Sequence, residues 1–268
     1  MTDQELRDRV AAIDWYHTID LAPGVVTPGW LDHRPVVARI PLPSSLAGQR
    51  CLDVGTFNGF WAFELERRGS QEVVAIDVLD ARRWDWPPGS DEAVVEELSG
   101  RMAGGRGFEI ASAALGSSVQ RHDLSVYELD RRELGSFDVV YLGSLLVHLR
   151  DPVRALERVR AVCDGTLVLV DGIDLPLSLR APRSPIARLD GRGRPWWWYP
   201  NAVGLARLVE AAGFELLEGP RRLFVPPGRG WQPRRLAPRQ LTSREGRYAL
   251  TAAWLGDPHA VIVARPRG

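Results

Sequence analysis

Residues 50–64, RCLDVGTFNGFWAFE, predict a buried strand, a glycine turn and a helix in direct succession. The strand is short and apolar, the turn occupies residues 55–59, and the helix runs to Arg68, where Gly69 ends it. Glycines in such a turn let the main chain approach a ligand closely, and the helix that follows offers free N–H groups in its first turn. We therefore expect this stretch to form one side of a ligand site at a sheet edge.

The rest of the chain alternates apolar strands with helices of about ten residues, the pattern of β-α-β units. Further strands are predicted at 73–76, 119–124, 137–142, 166–170, 214–217 and 260–264. Further helices are predicted at 2–13, 91–102, 108–115, 151–162 and 201–213. The expected fold is α/β: a Rossmann-like, doubly wound and mostly parallel seven-stranded sheet with helices on both faces.

Four stretches interrupt this regularity. Residues 1–48 are predicted to form an N-terminal helical lead, or cap, and residues 49–268 the α/β domain. Within that domain, insertions are predicted near 80–106, 172–199 and 219–258. Long connections in a compact domain are usually functional, so we expect them to cover the carboxyl ends of the strands, where such sheets bind ligands.

Composition narrows the class of protein. The 268 residues include 34 basic and 34 acidic side chains, and every basic side chain other than histidine is arginine. A neutral chain argues against a nucleic-acid coat or a polybasic membrane anchor. No apolar run approaches the ~20 residues of a membrane helix, and residues 1–10 are too polar for a signal peptide. Two distant cysteines, Cys51 and Cys163, fit a reducing compartment, so we expect a cytoplasmic protein without membrane contact.

A second acidic residue points to the kind of ligand. Asp77 ends the strand after the glycine turn, where a carboxylate can accept both hydroxyls of a ribose. A dinucleotide site would carry G-x-G-x-x-G, whereas this turn reads D-x-G-x-F-x-G from Asp53. The carboxylate of Asp53 would repel a diphosphate but can face an amino group. The predicted ligand is therefore S-adenosylmethionine, whose amino-acid end is zwitterionic.

These features resemble the class I S-adenosylmethionine-dependent methyltransferases over roughly residues 48–218 and 260–265. The chain departs from their motif at Phe57, where a middle glycine is usual. A closer resemblance rests on WYH at 15–17, TPG at 27–29 and LLVHLRDP at 145–152. Together with the glycine turn, these stretches resemble the group that contains the tRNA wobble-uridine methyltransferases, which take a carboxylated S-adenosylmethionine.

The resemblance implies roles for twelve positions around the cofactor. The methionine end would lie against the turn that contains Asp53, Gly55, Thr56, Phe57 and Gly59. Asp77 would bind the ribose, and the adenine would contact Val78, Leu124, Ser125 and Val126. The turn of Gly143 and Ser144 would pass under the sulfonium, although both serines also suit ordinary turns.

Two histidines are candidate bases. His148 follows the fourth strand, in the segment that borders the methyl acceptor in this family, and its ordinary pKa lies near neutrality. His17 lies before the sheet, in a segment that could fold over the cofactor. A structural role is the alternative for each. His33, His122 and His259 show no partner pattern, so no metal site is predicted.

Aromatic and cationic side chains suggest an acceptor site. Four adjacent aromatics at 196–199 cannot all point inward, so they predict a lid over a planar acceptor, a subunit contact in a homo-oligomer, or a cover for the sheet flank. The predicted substrate contacts are Trp15, Tyr16, Arg150, Trp197, Trp198 and Tyr199.

The stretch 219–244 is rich in arginine and contains no acidic residue. It suits an RNA, an anionic small molecule or a solvated loop. The predicted function is methyl transfer to an oxygen or nitrogen of a small molecule, such as an aromatic secondary metabolite. The alternatives are modification of the tRNA wobble uridine and nucleoside binding without catalysis.

Overall fold

The computed structural model describes residues 2–102, 105–232 and 244–268. The thirteen strands of these residues are β1 Trp15–His17, β2 Asp20–Ala22, β3 Val25–Val26, β4 Gly29–Leu31, β5 Arg50–Val54, β6 Glu72–Asp77, β7 Gln120–Asp123, β8 Phe137–Gly143, β9 Cys163–Gly172, β10 Ala187–Leu189, β11 Trp198–Pro200, β12 Phe214–Val225 and β13 Asp257–Pro266. The α-helices are α1 Asp3–Ala11, α2 Phe60–Arg67, α3 Glu92–Met102, α4 Arg106–Leu115, α5 Arg131–Leu134, α6 Pro152–Val162, α7 Leu175–Arg180, α8 Ala202–Ala211 and α9 Arg244–Trp254. None of the helices in these ranges is long and apolar enough to cross a bilayer.

Seven strands form the central sheet in the order β12-β13-β9-β8-β5-β6-β7. Strands β5 to β9 pair in parallel, and β13 runs antiparallel to both β9 and β12. The predicted doubly wound, mostly parallel, seven-stranded sheet is thus confirmed. Its strand order reverses beside β5, between β6 and β8, which is where such sheets bind ligands.

Both faces of the sheet are covered, which explains the continuous apolar strands. On one face, α2, α4 and the N-terminal lead pack against β8, with Trp15, Phe63 and Phe108 in one buried cluster. On the other face, α6 and α8 bury Leu156 and Leu205 in a second cluster. Residues 2–48 therefore share a hydrophobic core with the α/β domain.

The insertion that we predicted at 219–258 starts later in the structure than we expected. Residues 219–225 are the second half of β12, which we had ended at residue 217. Gly219 and Pro220 read as a loop, but they lie where the register with β13 shifts, on the edge strand of the sheet. Edge strands tolerate proline because its missing N–H costs no ladder hydrogen bond there. Helix α9, within the same predicted insertion, was also missed.

The segment before the sheet contains more structure than the irregular lead we expected. Strands β1 and β4 pair in parallel, and residues 226–231 return to them from the far end of the sheet. Gly228 donates its N–H to the carbonyl of Trp30 at 2.7 Å, and Gly230 to that of Gly29 at 3.0 Å. A Cβ on Gly228 would lie 2.1 Å from the Gly29 carbonyl oxygen, so glycine is required. We call residues 15–33 with 226–231 the cap.

Asn58 joins the cap to the glycine turn. Its side-chain oxygen accepts the main-chain N–H of Tyr16 at 2.8 Å and that of His17 at 3.3 Å. Gly107 makes room for this amide, because a Cβ there would lie 2.3 Å from Asn58 Nδ2. The cap is thereby held directly over the turn that we expect to bind the cofactor.

We expect Asn58→Ala to lower the free energy of unfolding by about 1–3 kcal/mol, because it leaves buried N–H donors without an acceptor. Urea denaturation measures the change. Gln120→Ala, which removes an exposed amide from β7, is the matched control and should change little. Equal stability of the two variants would show that the cap does not depend on Asn58.

Candidate functional site

The glycine turn after β5 is fixed by hydrogen bonds to β6. Gly55 and Thr56 both donate their N–H to the carbonyl of Ile76, at 2.9 and 3.1 Å. Gly55 has φ +76°, and a Cβ there would lie 3.2 Å from the side chain of Leu145. Gly59 has φ +93° and begins α2. At Gly55 and Gly59 the turn thus brings main chain without a side chain to the switch point of the sheet.

Phe57 takes the place of the usual middle glycine and still adopts a positive φ of 47°. Its N–H donates to Asp77 Oδ2 at 2.6 Å, and the N–H of Val78 donates to Asp77 Oδ1 at 2.7 Å. Burial raises the pKa of Asp77 to about 6, although these N–H groups oppose the rise. The acid at the end of β6 and the glycine turn are therefore one hydrogen-bonded unit.

Asp53 has a different environment at the end of β5. It is 2% exposed, and its Oδ2 atom finds no hydrogen-bond partner within the described part of the protein. Thr56 Oγ1 is buried beside the same turn. Burial, with the charge of Asp77 as a smaller cause, raises the pKa of Asp53 to about 7, although the Thr56 hydroxyl and the Ala62 N–H oppose the rise. A buried carboxylate oxygen without a donor fits a ligand that brings one, such as the ammonium group of S-adenosylmethionine.

The segment after β7 lies next to Asp77, as expected for an adenine contact. The N–H of Leu124 donates to the main-chain carbonyl of Asp77 at 3.0 Å. Ser125 caps a short 3-10 helix by accepting the N–H of Tyr127, and Val126 is buried behind it. Ser125 therefore has a structural role whatever it contacts in a ligand.

The turn after β8 carries the predicted Gly143 and Ser144. Ser144 has φ +52° and donates its N–H to the carbonyl of Val170 at 2.9 Å. Its Oγ lies 2.9 Å from His259 Nε2, a partner that the sequence analysis missed. His259 belongs to the reversed strand β13, whose first residues reach the same edge as the ends of β8 and β9.

Asp171 is a third buried acid at this edge. Its Oδ2 accepts the N–H groups of Leu145 and Leu146 at 2.9 and 2.8 Å, and its Oδ1 accepts that of Gly172. Burial raises its pKa, while these hydrogen bonds oppose the rise. The sequence signal was available, because Asp171 ends an apolar strand just as Asp53 and Asp77 do.

The cap places aromatic side chains over the turn. The Tyr16 ring lies edge-on to Phe57, with centroids 5.7 Å apart. Burial raises the pKa of Tyr16, and the adjacent Ser144 hydroxyl partly offsets the rise. His17 packs against His33 at 5.2 Å, and burial lowers the pKa of His17 to about 3, so its ring is neutral near pH 7.

Trp15 is a core residue and not the substrate contact that we predicted. It is 1% exposed, and its indole N–H donates to the carbonyl of Val10 at 2.9 Å. The apolar face of α1 and the sheet enclose it. Sequence alone does not separate a core tryptophan from a binding tryptophan when both precede the sheet.

His148 is tied to the segment that precedes the aromatic run. Its Nδ1 lies 2.8 Å from the carbonyl of Pro195, and burial lowers its pKa. A carbonyl only accepts, so this contact places the ring proton on Nδ1. The hydrogen bond gives His148 a structural role, and its role as a base stays a prediction.

Asp85 organises the predicted aromatic lid. Its main-chain carbonyl accepts the indole N–H of Trp197 at 2.6 Å, and its carboxylate accepts the Tyr127 hydroxyl at 2.6 Å and the Arg150 N–H at 2.8 Å. The Arg150 guanidinium lies over the Trp197 ring, and Trp198 donates to the Arg150 carbonyl. Hydrogen bonds and ring contacts therefore hold these side chains in place.

The other members of the aromatic run lie at its margins. Arg188 stacks over the Tyr199 ring at 4.8 Å from its centroid, and Trp196 is 37% exposed. Of the arginine-rich stretch, Arg221 donates to the carbonyl of Arg39. Arg234, Arg235 and Arg239 lie outside the described residues. No group of three or more His, Cys, Asp or Glu in the described ranges is arranged to hold a metal ion.

Comparison with known proteins finds similar chains by sequence and by structure. Two curated relatives are the tRNA U34 carboxymethyltransferases of Aeromonas hydrophila and Aeromonas salmonicida, each 26% identical over 181 residues, or 65% of this chain and 47% of the relative. The chain thus spans about half the length of the curated relatives it matches. Among solved structures, the N-terminal domain of EvdMO1 with SAH bound is 16% identical, with a TM-score of 0.55 over 100% of this chain and 98% of that one.

The structural likeness concerns the fold, and a family match goes further. The family described as "Methyltransferase domain" matches residues 32–218, which include the glycine turn, Asp77 and the turn after β8. Because this match spans well over half of the sequence, the chain belongs to the methyltransferase domain family and is a class I S-adenosylmethionine-dependent methyltransferase.

Proposed function

We propose that this protein transfers the methyl group of S-adenosylmethionine to a small-molecule acceptor. The observation that carries the proposal is the cap, which Asn58 holds directly over the glycine turn. Tyr16 thereby contacts both Phe57 and Ser144. An acceptor between cap and turn is met by buried, mostly aromatic side chains, which suits a small organic molecule better than a polyanion.

The bound cofactor supplies a methyl group that its sulfonium already activates. Asp53 and Thr56 hold the amino-acid end, since Asp53 Oδ2 is buried without a partner among the described residues and the Thr56 hydroxyl lies beside the same carboxyl group. Asp77 binds the ribose hydroxyls, with its carboxylate already aligned by the N–H groups of Phe57 and Val78. Val78 and the segment 124–126 border the adenine. The protein aligns the two reactants and excludes water, which is most of what this reaction needs.

Modification of tRNA is the second candidate, because the curated relatives are tRNA U34 carboxymethyltransferases. The neutral net charge argues against it, since binding to tRNA depends on neutralising phosphates. Hydrogen bonds also hold the indole rings of Trp197 and Trp198 in place. Fewer aromatic rings are therefore free to stack on unpaired RNA bases than the sequence suggested.

A labelling experiment separates these functions. The protein is incubated with S-adenosylmethionine carrying a radioactive methyl group and with either a low-molecular-weight cell extract or bulk tRNA. We expect label in the extract and none in tRNA. Label in tRNA that is lost steeply as salt rises would establish the tRNA function. Cofactor binding with no transfer to either would indicate a nucleoside-binding protein without catalysis.

Asp53→Asn should make the protein more stable at pH 8 and weaken its binding of the cofactor. The folded-state pKa of Asp53 is raised from 3.8 to about 7, so its contribution to stability is complete below pH 3.8 and is lost as pH rises through 7. At pH 8 the variant avoids an ionised buried carboxylate, and we expect it to melt at a higher temperature than the wild type. Its affinity for S-adenosylmethionine should fall by ~1.5–3 kcal/mol, because a hydrogen bond to a charged group is lost.

Thermal melts at pH 5 and pH 8 and calorimetric titration measure these effects. Asp8→Asn, which alters an exposed carboxylate on α1, is the control and should change neither quantity. Wild-type affinity should strengthen between pH 6 and pH 8 as Asp53 ionises. An Asp53→Asn protein that binds the cofactor normally would remove Asp53 from the site.

The protein should prefer ordinary S-adenosylmethionine over the carboxylated form. The extra carboxylate needs a cation, but the chain contains no lysine, and the burial of His17 keeps its ring neutral. Arg150 could substitute, yet its guanidinium already stacks on Trp197. Competition binding tests the preference, with His17→Gln as a variant that should leave it unchanged. Tenfold tighter binding of the carboxylated form, about 1.4 kcal/mol, would contradict the assignment.

A further inference from the structure

Ser144 and His259 form a directed hydrogen-bonded pair at the carboxyl edge of the sheet. Ser144 Oγ lies 2.9 Å from His259 Nε2, and His259 Nδ1 lies 3.0 Å from the main-chain carbonyl of Asp257. A carbonyl oxygen can only accept, so in the neutral ring Nδ1 carries the proton and Nε2 is bare. The Ser144 hydroxyl therefore donates to Nε2. Its oxygen has two lone pairs, one for the Tyr16 hydroxyl that hydrogen-bonds to it and one for a further proton donor.

The Ser144–His259 pair borders the space that the methyl acceptor would occupy. Ser144 is partly exposed and is followed by Leu145, whose side chain is 3.2 Å from the position of a Cβ on Gly55. Tyr16 of the cap adjoins the Ser144 hydroxyl on the other side. His259 is buried behind Ser144, with 2% of its surface exposed. A methyl acceptor that contacts Ser144 thus lies next to the glycine turn. It can pass a proton to the buried His259 only through Ser144.

The charged and titratable groups around His259 come from every element packed against it. Its own strand contributes Asp257, whose Oδ1 accepts the Tyr248 hydroxyl of α9 at 2.6 Å, and β9 contributes Asp171. The cap contributes His33, with His17 behind it, and Tyr16. Carboxylates and neutral histidines thus both lie close to the His259 ring.

We propose that Ser144 and His259 form a proton-accepting pair for a hydroxyl group on the acceptor, an alcohol or a phenol. This inference rests on the proposed function. The acceptor hydroxyl gives its proton to Ser144 Oγ while Ser144 passes its own proton to His259 Nε2. The acceptor oxygen forms a bond to the methyl carbon, and the carbon–sulfur bond breaks with its electron pair left on sulfur. The sulfonium becomes a neutral thioether, and His259 carries the positive charge until it returns the proton to water.

In this arrangement Ser144 contacts the acceptor, and His259 is a positioning residue that acts through it. A hydroxyl oxygen gains most from such a pair, because it becomes a strong nucleophile as it loses its proton. A neutral amine attacks with its lone pair and releases a proton afterwards, so it needs the pair less. The inference therefore narrows the oxygen or nitrogen nucleophile of the sequence analysis to oxygen.

Nitrogen NMR of the histidine rings tests the pair without any acceptor. Protein labelled with nitrogen-15 in its five histidines is titrated with acid, and His259→Gln identifies the His259 signals. At pH 8 we expect the ring proton of His259 on Nδ1, which faces the Asp257 carbonyl, and we expect Ser144→Ala to shift the Nε2 resonance. His122→Gln, which removes an exposed histidine, should leave the His259 signals in place. A proton on Nε2 at pH 8 would overturn the inference.

Transfer to the low-molecular-weight extract tests the consequence. At pH 7 we expect His259→Gln to lower the initial rate about 100-fold, in the range of a lost proton acceptor. The dissociation constant for S-adenosylhomocysteine should stay within about twofold of the wild type, since His259 does not contact the cofactor turn. The rate of the variant should then rise about tenfold per pH unit between pH 7 and 9, as hydroxide replaces the missing base.

A merely structural role for His259 would lower the rate equally at every pH and would contradict the inference. The same contradiction follows if His148→Gln, rather than His259→Gln, acquires the steep pH dependence. The nitrogen spectra decide whether the pair exists even when the wild type labels nothing in the extract. An absence of labelling would therefore count against the proposed function alone.

Discussion

The position of one five-residue turn determines the rest of the site. Residues 55–59 are pinned to β6 by two N–H groups on the Ile76 carbonyl and one on the Asp77 carboxylate. That placement sends the Asn58 side chain up to the cap and leaves Gly55 against Leu145. Cap, cofactor turn and acceptor edge are therefore positioned by the same short segment. A side chain at Gly55 would disturb both the turn and the segment after β8.

Buried negative charge is concentrated at the ends of three parallel strands. Asp77 and Asp171 each accept main-chain N–H groups, which stabilise a carboxylate out of water. Asp53 Oδ2 has no such partner among the described residues, and burial raises the pKa of Asp53 to about 7. Asp77 and Asp171 thus stabilise the loops that follow their strands. Asp53 keeps one oxygen without a donor, which lowers the stability of the protein. An unsatisfied buried acid is what a cationic ligand can exploit.

Local patterns were enough to predict the sheet, the glycine turn and Asp77. Each depends on residues close in sequence: an apolar strand, a glycine with positive φ, and an acid at a strand end. The contacts that were missed join distant segments. Ser144 and His259 are 115 residues apart, and Trp197 and Asp85 are 112 residues apart. No local pattern marks such pairs, because the pairing is created by the strand order of the sheet.

The errors at strand β12 and at Trp15 have a related cause. Strand β12 was cut short because Gly219 and Pro220 signal a turn, and only its edge position lets the strand continue through them. Trp15 was assigned to the substrate because aromatic residues before the sheet suit both a core and a binding site. In both cases the sequence pattern was real, and the tertiary environment decided between two structures that fit it.

Three histidines gather near the acceptor edge, and their surroundings give them different chemistry. Nδ1 of His17 and Nδ1 of His33 are buried without a partner in the described ranges, and burial lowers both pKa values. Neither ring can hold a proton near pH 7, so neither competes for one. His259 has partners on both ring nitrogens and two carboxylates nearby. His17 and His33 thus stay neutral, and the proposed proton path leads to His259.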